Sequence, residues 1–298
     1  MLDLSLTVIV VLVVASTVAA GVNGALGYGF SSIVVPSSLT VMSPRRLNPT
    51  LVMLEVALNG AALVSHRRMI RAVWPRVWPV LIGLVPGVAI GGVLFGLVSV
   101  QVLKTGTYVL ILPLVALQSF ALRWPVRSVR RAGPPFGLGL GVLYATTTVS
   151  GPPLAIYFNN LGLAQGEFRA ALAVVRVIEA VTTLAVYAMV GALTTPAAAL
   201  AVVLLPVVLL GLAIGRRVIQ RVDRAAFSRV CMRVDAVLVT VGLALTTSHA
   251  GWLPPRAAWP AAVAFALALH LWAASRARRA ARRDDAPSAG GAAAGAAA

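Results

Sequence analysis

The sequence predicts an all-α, polytopic transmembrane bundle of about eight to nine membrane segments, two of them broken, built from two inverted repeats. Three observations predict it. Of the 298 residues, 59% are hydrophobic and 11% charged, with a mean hydropathy of +0.92, far above the roughly 45–50% apolar content of a soluble domain. The apolar residues fall into runs long enough to cross a bilayer, separated by short basic segments. The two halves also echo one another. A shift of 121 residues lays Ala20, Asn23, Gly24, Gly27, Gly29 and Ser31 over Gly141, Tyr144, Ala145, Thr148, Ser150 and Pro152.

Residues 4–42 form one apolar stretch interrupted by Gly21, Asn23, Gly24, Gly27 and Gly29, too long for one straight span of about 20 residues. A second span is expected over 50–65, holding Glu55 and Asn59, and is followed by a basic loop over 66–76. The third, 77–98, carries Pro86 with Gly83, Gly87, Gly91 and Gly92, small residues that let helices approach closely. The fourth covers 102–122. After Arg123, Arg127, Arg130 and Arg131 comes a second broken segment, 136–160, with Thr146, Thr147, Thr148 and Ser150 beside Gly151-Pro152-Pro153. Spans follow at 168–191, with Arg176 and Glu179, and at 196–215, where Pro206 and Gly211 echo Pro86 and Gly91 at a shift of 120. A basic loop over 216–233 leads to a span at 234–248, and a last span at 257–274 has no counterpart in the first half. The chain thus divides into a first repeat (1–122), a basic cytoplasmic linker (123–135), a second repeat (136–248), an additional C-terminal helix (249–275) and a basic, Ala/Gly-rich tail (276–298) whose composition predicts disorder.

Positive segments face the cytoplasm. If 66–76, 123–131, 216–233 and 276–283 all do, the segment at 136–160 must enter and leave on one side or cross twice as half-helices. The loop near Gly191 to Pro196 then lies outside and its counterpart at 66–76 inside, which inverts the repeats. Arg45 and Arg46 face outward in this scheme.

The net charge of +17 resides in arginines between and after the apolar runs, where it orients the chain against anionic lipids rather than reading nucleic acid. A lone cysteine, Cys231, excludes an internal disulfide, and His66, His249 and His270 have no metal-ligand spacing. The glycine run from Gly137 to Gly141 lies in an apolar span and lacks the context of a dinucleotide loop. Walker, nucleophile-elbow and kinase motifs are all missing. Neither a cofactor nor an enzymatic activity is expected. The N-terminus lacks the positive region of a signal peptide and is read as mature protein.

The residues that can carry chemistry lie at the two breaks. A helix starting at Ser150-Gly-Pro-Pro153 presents free N–H groups and a positive dipole end, which favours an anion. Ser31 and Ser32 occupy the matching place in the first half, with Asn23 and Tyr28 upstream, and Thr147 and Thr148 add hydroxyls. In the spans, Glu55, Asn59, Arg176 and Glu179 form either a buried ion pair or a coupling site. Arg176 and Glu179 share a helix face, and the repeat shift also sets Arg176 opposite Glu55. Arg169 lies nearer a membrane edge, where it can snorkel. The binding partners expected are a small anionic solute, membrane lipids and a coupling ion, proton or sodium. A homo-oligomer is compatible with the sequence.

The glycine-rich N-terminal segment with Pro36, the Ser150-Gly-Pro-Pro153 break, Phe168-Arg169 before a span ending near Gly191, and the spacing of Pro206, Gly211 and Gly215 carry a resemblance. Over about residues 15–248 the chain resembles the sulfite exporter TauE/SafE family of membrane permeases. Phe30 and Ser31 replace two glycines of the first repeat, Thr148 stands where the second often has glycine, and Glu179 stands where an asparagine is common. The resemblance implies a multi-pass permease of the cytoplasmic membrane for small anions, sulfite and organosulfur compounds being the named cases. The alternative from another class is a non-transporting scaffold or assembly component for a partner enzyme.

Overall fold

In the computed structural model, which describes residues 5–119, 128–221 and 224–284, every regular element is helical. In chain order these are α1 (Leu6–Leu26), α2 (Phe30–Ser38), α3 (Pro44–Ser65), α4 (Ile70–Leu97), α5 (Val100–Ser119), α6 (Val129–Thr147), α7 (Gly151–Asn160), α8 (Gln165–Met189), α9 (Thr195–Val218), α10 (Arg224–His249) and α11 (Pro255–Asp284). A 3-10 turn over Arg67–Met69 joins α3 to α4.

Among the described residues six helices, α1, α3, α4, α5, α8 and α9, are long and apolar enough to cross a membrane, fewer than the eight to nine segments expected. α2 and α7 have only 9 and 10 residues, about 15 Å of helix, half a hydrocarbon core. α6 and α10 are diluted by charge: Arg130 and Arg131 in the first turn of α6, and Arg224, Arg233 and Asp235 in α10. The six carry lipid-facing rows such as Val10, Val14 and Val18 on α1, and Ile82, Val85 and Val93 on α4, all exposed.

Several boundaries differ from expectation. α4 starts at Ile70, so most of the predicted basic loop at 66–76 is helix, in spite of Pro75 and Pro79; neighbouring groups can satisfy backbone freed by proline in such helices. Likewise, Arg216 and Arg217 close the last turn of α9, and α10 begins at Arg224. α11 runs on to Asp284, into the arginine-rich stretch whose composition predicts disorder. Arg123 and Arg127 lie outside the described residues.

Element ends recur at the sequence shift. Leu26 and Thr147 end α1 and α6, Phe30 and Gly151 begin α2 and α7, Pro44 and Gln165 begin α3 and α8, and Leu97 and Val218 end α4 and α9, each pair 121 positions apart. Packing crosses between the halves: α4 lies along α6, α1 along α9, and α3 against α8. Glycines make these seams possible. Gly83, Gly87 and Gly91 of α4 face Gly133, Gly137 and Gly141 of α6, each at a spacing of four, and an added Cβ at any of them would strike backbone or side-chain atoms of the other helix. On the α1–α9 seam, Gly215 packs on the backbone of Gly21 and Gly24 on that of Leu212. Between lipid-immersed helices such close backbone approach supplies the dispersion contact that a hydrophobic driving force cannot.

Candidate functional site: two meeting helix interruptions and a buried charge cluster

The first interruption, residues 27–29, exists because Gly27 (φ 89°) and Gly29 (φ 100°) take left-handed conformations that end α1 and set the start of α2. The second has the same form. Thr148 ends α6 at φ 58° and ψ 17°, and α7 begins at Gly151 with Pro152 in its first turn, where a missing N–H costs nothing. The two interruptions touch: a Cβ on Gly151 would lie 3.5 Å from both the Gly29 nitrogen and the Tyr28 Cβ.

Each interruption frees carbonyls at a helix end, and side chains of α3 and α8 supply donors. Arg169 Nη2 of α8 donates to the Ala25 carbonyl at 2.8 Å. Asn48 Nδ2 of α3 donates to that of Thr146 at 2.9 Å, and Tyr187 donates to that of Ala145 at 2.6 Å.

Behind the interruptions lies a fully buried polar cluster. The Glu55 carboxylate on α3 accepts the Ser31 hydroxyl, the Tyr144 hydroxyl at 2.7 Å and Arg176 Nη2 at 3.2 Å. Arg176 Nη1 in turn donates to Asn23 Oδ1 at 3.0 Å. Glu179, one turn after Arg176 on α8, instead accepts from Ser150 at 2.6 Å. Of the two pairings open to Arg176, it is the one with Glu55, across the halves, that forms. Arg176 Nε, Glu179 Oε1 and Asn59 Nδ2 are buried without a hydrogen-bond partner, a state that costs free energy away from water.

A cavity of about 40 Å³ reaches this cluster, lined by Asn23, Asn59, His66, Arg169, Arg176 and Arg216 among others, none of them acidic. His66 and Arg216 stand at the ends of α3 and α9, so the cavity that Arg176 lines also touches those helix ends. Three arginines around one small volume make it a focus of positive potential.

The structure therefore brings Asn23, Ser31, Glu55, Ser150, Arg176 and Glu179 together, and sets Asn59 on the cavity wall. Tyr28 is half-buried, edge-on to Phe168 at 6.5 Å, and its neighbour Gly151 closes the contact between the interruptions. Other hydroxyls turn inward on their own backbone: Ser32 to Gly29, Thr146 to Val142, Thr147 to Leu143, and Thr148 to the carbonyl of Thr147. Pro152 and Pro153 shape the first turn of α7 and offer no donor. Sequence reasoning missed Asn48, and left Tyr144 out of the site although the repeat shift overlays it on Asn23. It placed Arg169 at the membrane edge, whereas the side chain caps α1 and lines the cavity.

A family model described as Sulfite exporter TauE/SafE matches residues 12–245. The chain belongs to this family. The matched region contains both interruptions and the whole charge cluster, and ends within α10, so α11 lies beyond it. No curated protein and no solved structure matches the chain. TauE/SafE proteins are membrane transporters of sulfur anions, and with six apolar helices this member is a multi-pass membrane protein.

Proposed function

We propose that this protein is a secondary transporter of the cell membrane that moves sulfite or a related small organosulfur anion by alternating access at two broken helices from inverted repeats. The observation that carries the reading is the acid-free cavity lined by Arg176, a buried guanidinium with one unpartnered nitrogen. An oxyanion entering past His66, Arg216 and Arg169 meets cationic or donor groups at each step. At the end it finds Arg176 Nε and Asn59 Nδ2, both without a partner.

Inversion is supported by the cavity rim. His66 ends α3 and Arg216 lies in the last turn of α9, yet both line one opening. The 24 residues of α9 span about 36 Å, which sets the turn before Thr195 at the opposite face. The equivalent turn in the first half, at Arg67–Met69, adjoins the opening itself. Both basic ends point to the cytoplasm, so the cavity is an inward-open path. On the same reading the pair of Glu55 and Arg176 holds the halves in register between states.

The test is radiolabelled sulfite counterflow into liposomes holding the purified full-length protein. Exchange is expected in the wild type and should vanish in Arg176→Gln. Arg216→Gln at the rim, where folding is not at stake, should raise the half-saturating sulfite concentration. Wild-type liposomes that exchange neither sulfite, thiosulfate nor an alkanesulfonate would overturn the reading and leave the scaffold alternative.

A further inference from the structure

One buried acid takes no part in the cluster described above. Asp235 lies well inside α10, fully buried, and among the described residues neither of its carboxylate oxygens has a hydrogen-bond partner or an ion pair. α10 packs against α2, α5 and α11, with a lighter contact to α1. α1 and α2 contain no titratable side chain. α5 contributes Lys104 and Tyr108, but Tyr108 packs over Gly242, two turns further along α10, and donates to the Pro36 carbonyl at 2.9 Å. Among its described side chains α11 contributes Arg256, at its own start, and His270, whose Nδ1 meets the Ala266 carbonyl at 2.8 Å. On α10 itself Cys231 is buried one turn before Asp235 and Arg233 points outward. Among the described side chains, the hydroxyl of Ser32 faces Asp235 while donating to the Gly29 carbonyl at 3.2 Å.

A carboxyl buried here with neither oxygen partnered lacks the hydration or the counter-charge that an ionised acid needs. Yet Ser32 belongs to the first turn of α2, where free N–H groups and the helix dipole favour a negative charge. Ser31, the preceding residue, donates to Glu55 of the anion cluster. Movement of α2 is thus felt at both places.

We propose that Asp235 is the proton-carrying residue of the transport cycle. It takes a proton from water on one side, forming the carboxyl O–H bond that lets it sit buried against α2. It releases that proton to water on the other side when α2 moves, the carboxylate then resting on the α2 N-terminus. Because Ser31 rides on the same turn, each protonation change is transmitted to Glu55 and Arg176. The coupling role rests on the transport reading; the protonation of Asp235 does not.

Two measurements on the full chain test it. Infrared spectra of the protein in lipid at neutral pH should show a protonated-carboxyl C=O band that Asp235→Asn removes and Asp235→Glu retains. A spectrum unchanged by Asp235→Asn overturns the proposal. In liposomes, Asp235→Asn should keep sulfite counterflow but lose the stimulation of net sulfite uptake by an imposed pH gradient. A pH response equal to wild type, or a sodium gradient that replaces the pH gradient, overturns the coupling role alone. Loss of sulfite exchange in the wild type itself overturns the transport reading and the coupling role with it, while the infrared result stands apart.

Discussion

Arg169 and Asn48 stand 121 positions apart, on α8 and α3, and do the same thing in opposite halves: Arg169 donates to the Ala25 carbonyl and Asn48 to that of Thr146. Ala25 and Thr146 are themselves 121 apart. Each interruption therefore takes one cap from the half that does not contain it. Asn48→Leu should leave a buried carbonyl without its donor, at a cost of about 1–3 kcal/mol, read as a lower thermal midpoint of the detergent-solubilised protein. Asn48→Gln, which keeps a donor, should recover part of it.

Glu55 and Arg176 are the buried ion pair. Removing one partner strands the other, and either Glu55→Gln or Arg176→Gln should lower stability by about 3–5 kcal/mol. The double variant should regain most of that loss while sulfite exchange stays absent. Thermal midpoints and counterflow on the three variants give the cycle; additive losses would show that the pair is not coupled.

Gly137 and Gly139 sit on the same helix with opposite surroundings. A Cβ at Gly137 collides with the Val80 backbone, whereas at Gly139 nothing lies within 4 Å. Gly137→Ala should cost about 1–3 kcal/mol by forcing α4 and α6 apart. Gly139→Ala should stay within about 0.5 kcal/mol of wild type, as judged from the same melting curves.

Thr148 holds the left-handed position that Gly27 holds in the first half, at φ 58°. A β-branched residue pays about 1–2 kcal/mol for that conformation. Thr148→Gly should return some of this as a higher thermal midpoint, less the hydrogen bond from its hydroxyl to the Thr147 carbonyl.

Both interruptions were legible because glycine and proline mark them directly, and the recurrence of element ends was legible because Gly27 and Gly29 keep the spacing of Thr148 and Ser150. The partnership of Glu55 and Arg176 followed from the same shift, although spacing along α8 alone also allowed Glu179. Helix ends near the rim were not legible. Arginines and prolines at 67–76 read as loop, yet α4 starts at Ile70 because a helix end can carry arginines outward while its apolar face stays packed. Asp235 gave little signal: a single acid beside Arg233 at the edge of an apolar run looks like an ordinary membrane boundary. Only its burial against Ser32 sets it apart. Asn48, flanked by Leu47 and Pro49, carried no local mark of the carbonyl it reaches 98 residues away.

The glycine seams have a consequence for motion. Because α4 is locked to α6 and α1 to α9, backbone against backbone, a boundary drawn between residues 122 and 136 separates nothing that can slide. One apolar core gathers α1, α2, α3, α5, α9, α10 and α11, another gathers α4, α6, α7 and α8, and a smaller third joins α3 and α5 to α4, α6 and α8. A rocking transporter woven like this would divide along the two larger cores, with the small third core around Val52, Phe95 and Tyr187 as the pivot and α3 bearing Glu55 through it.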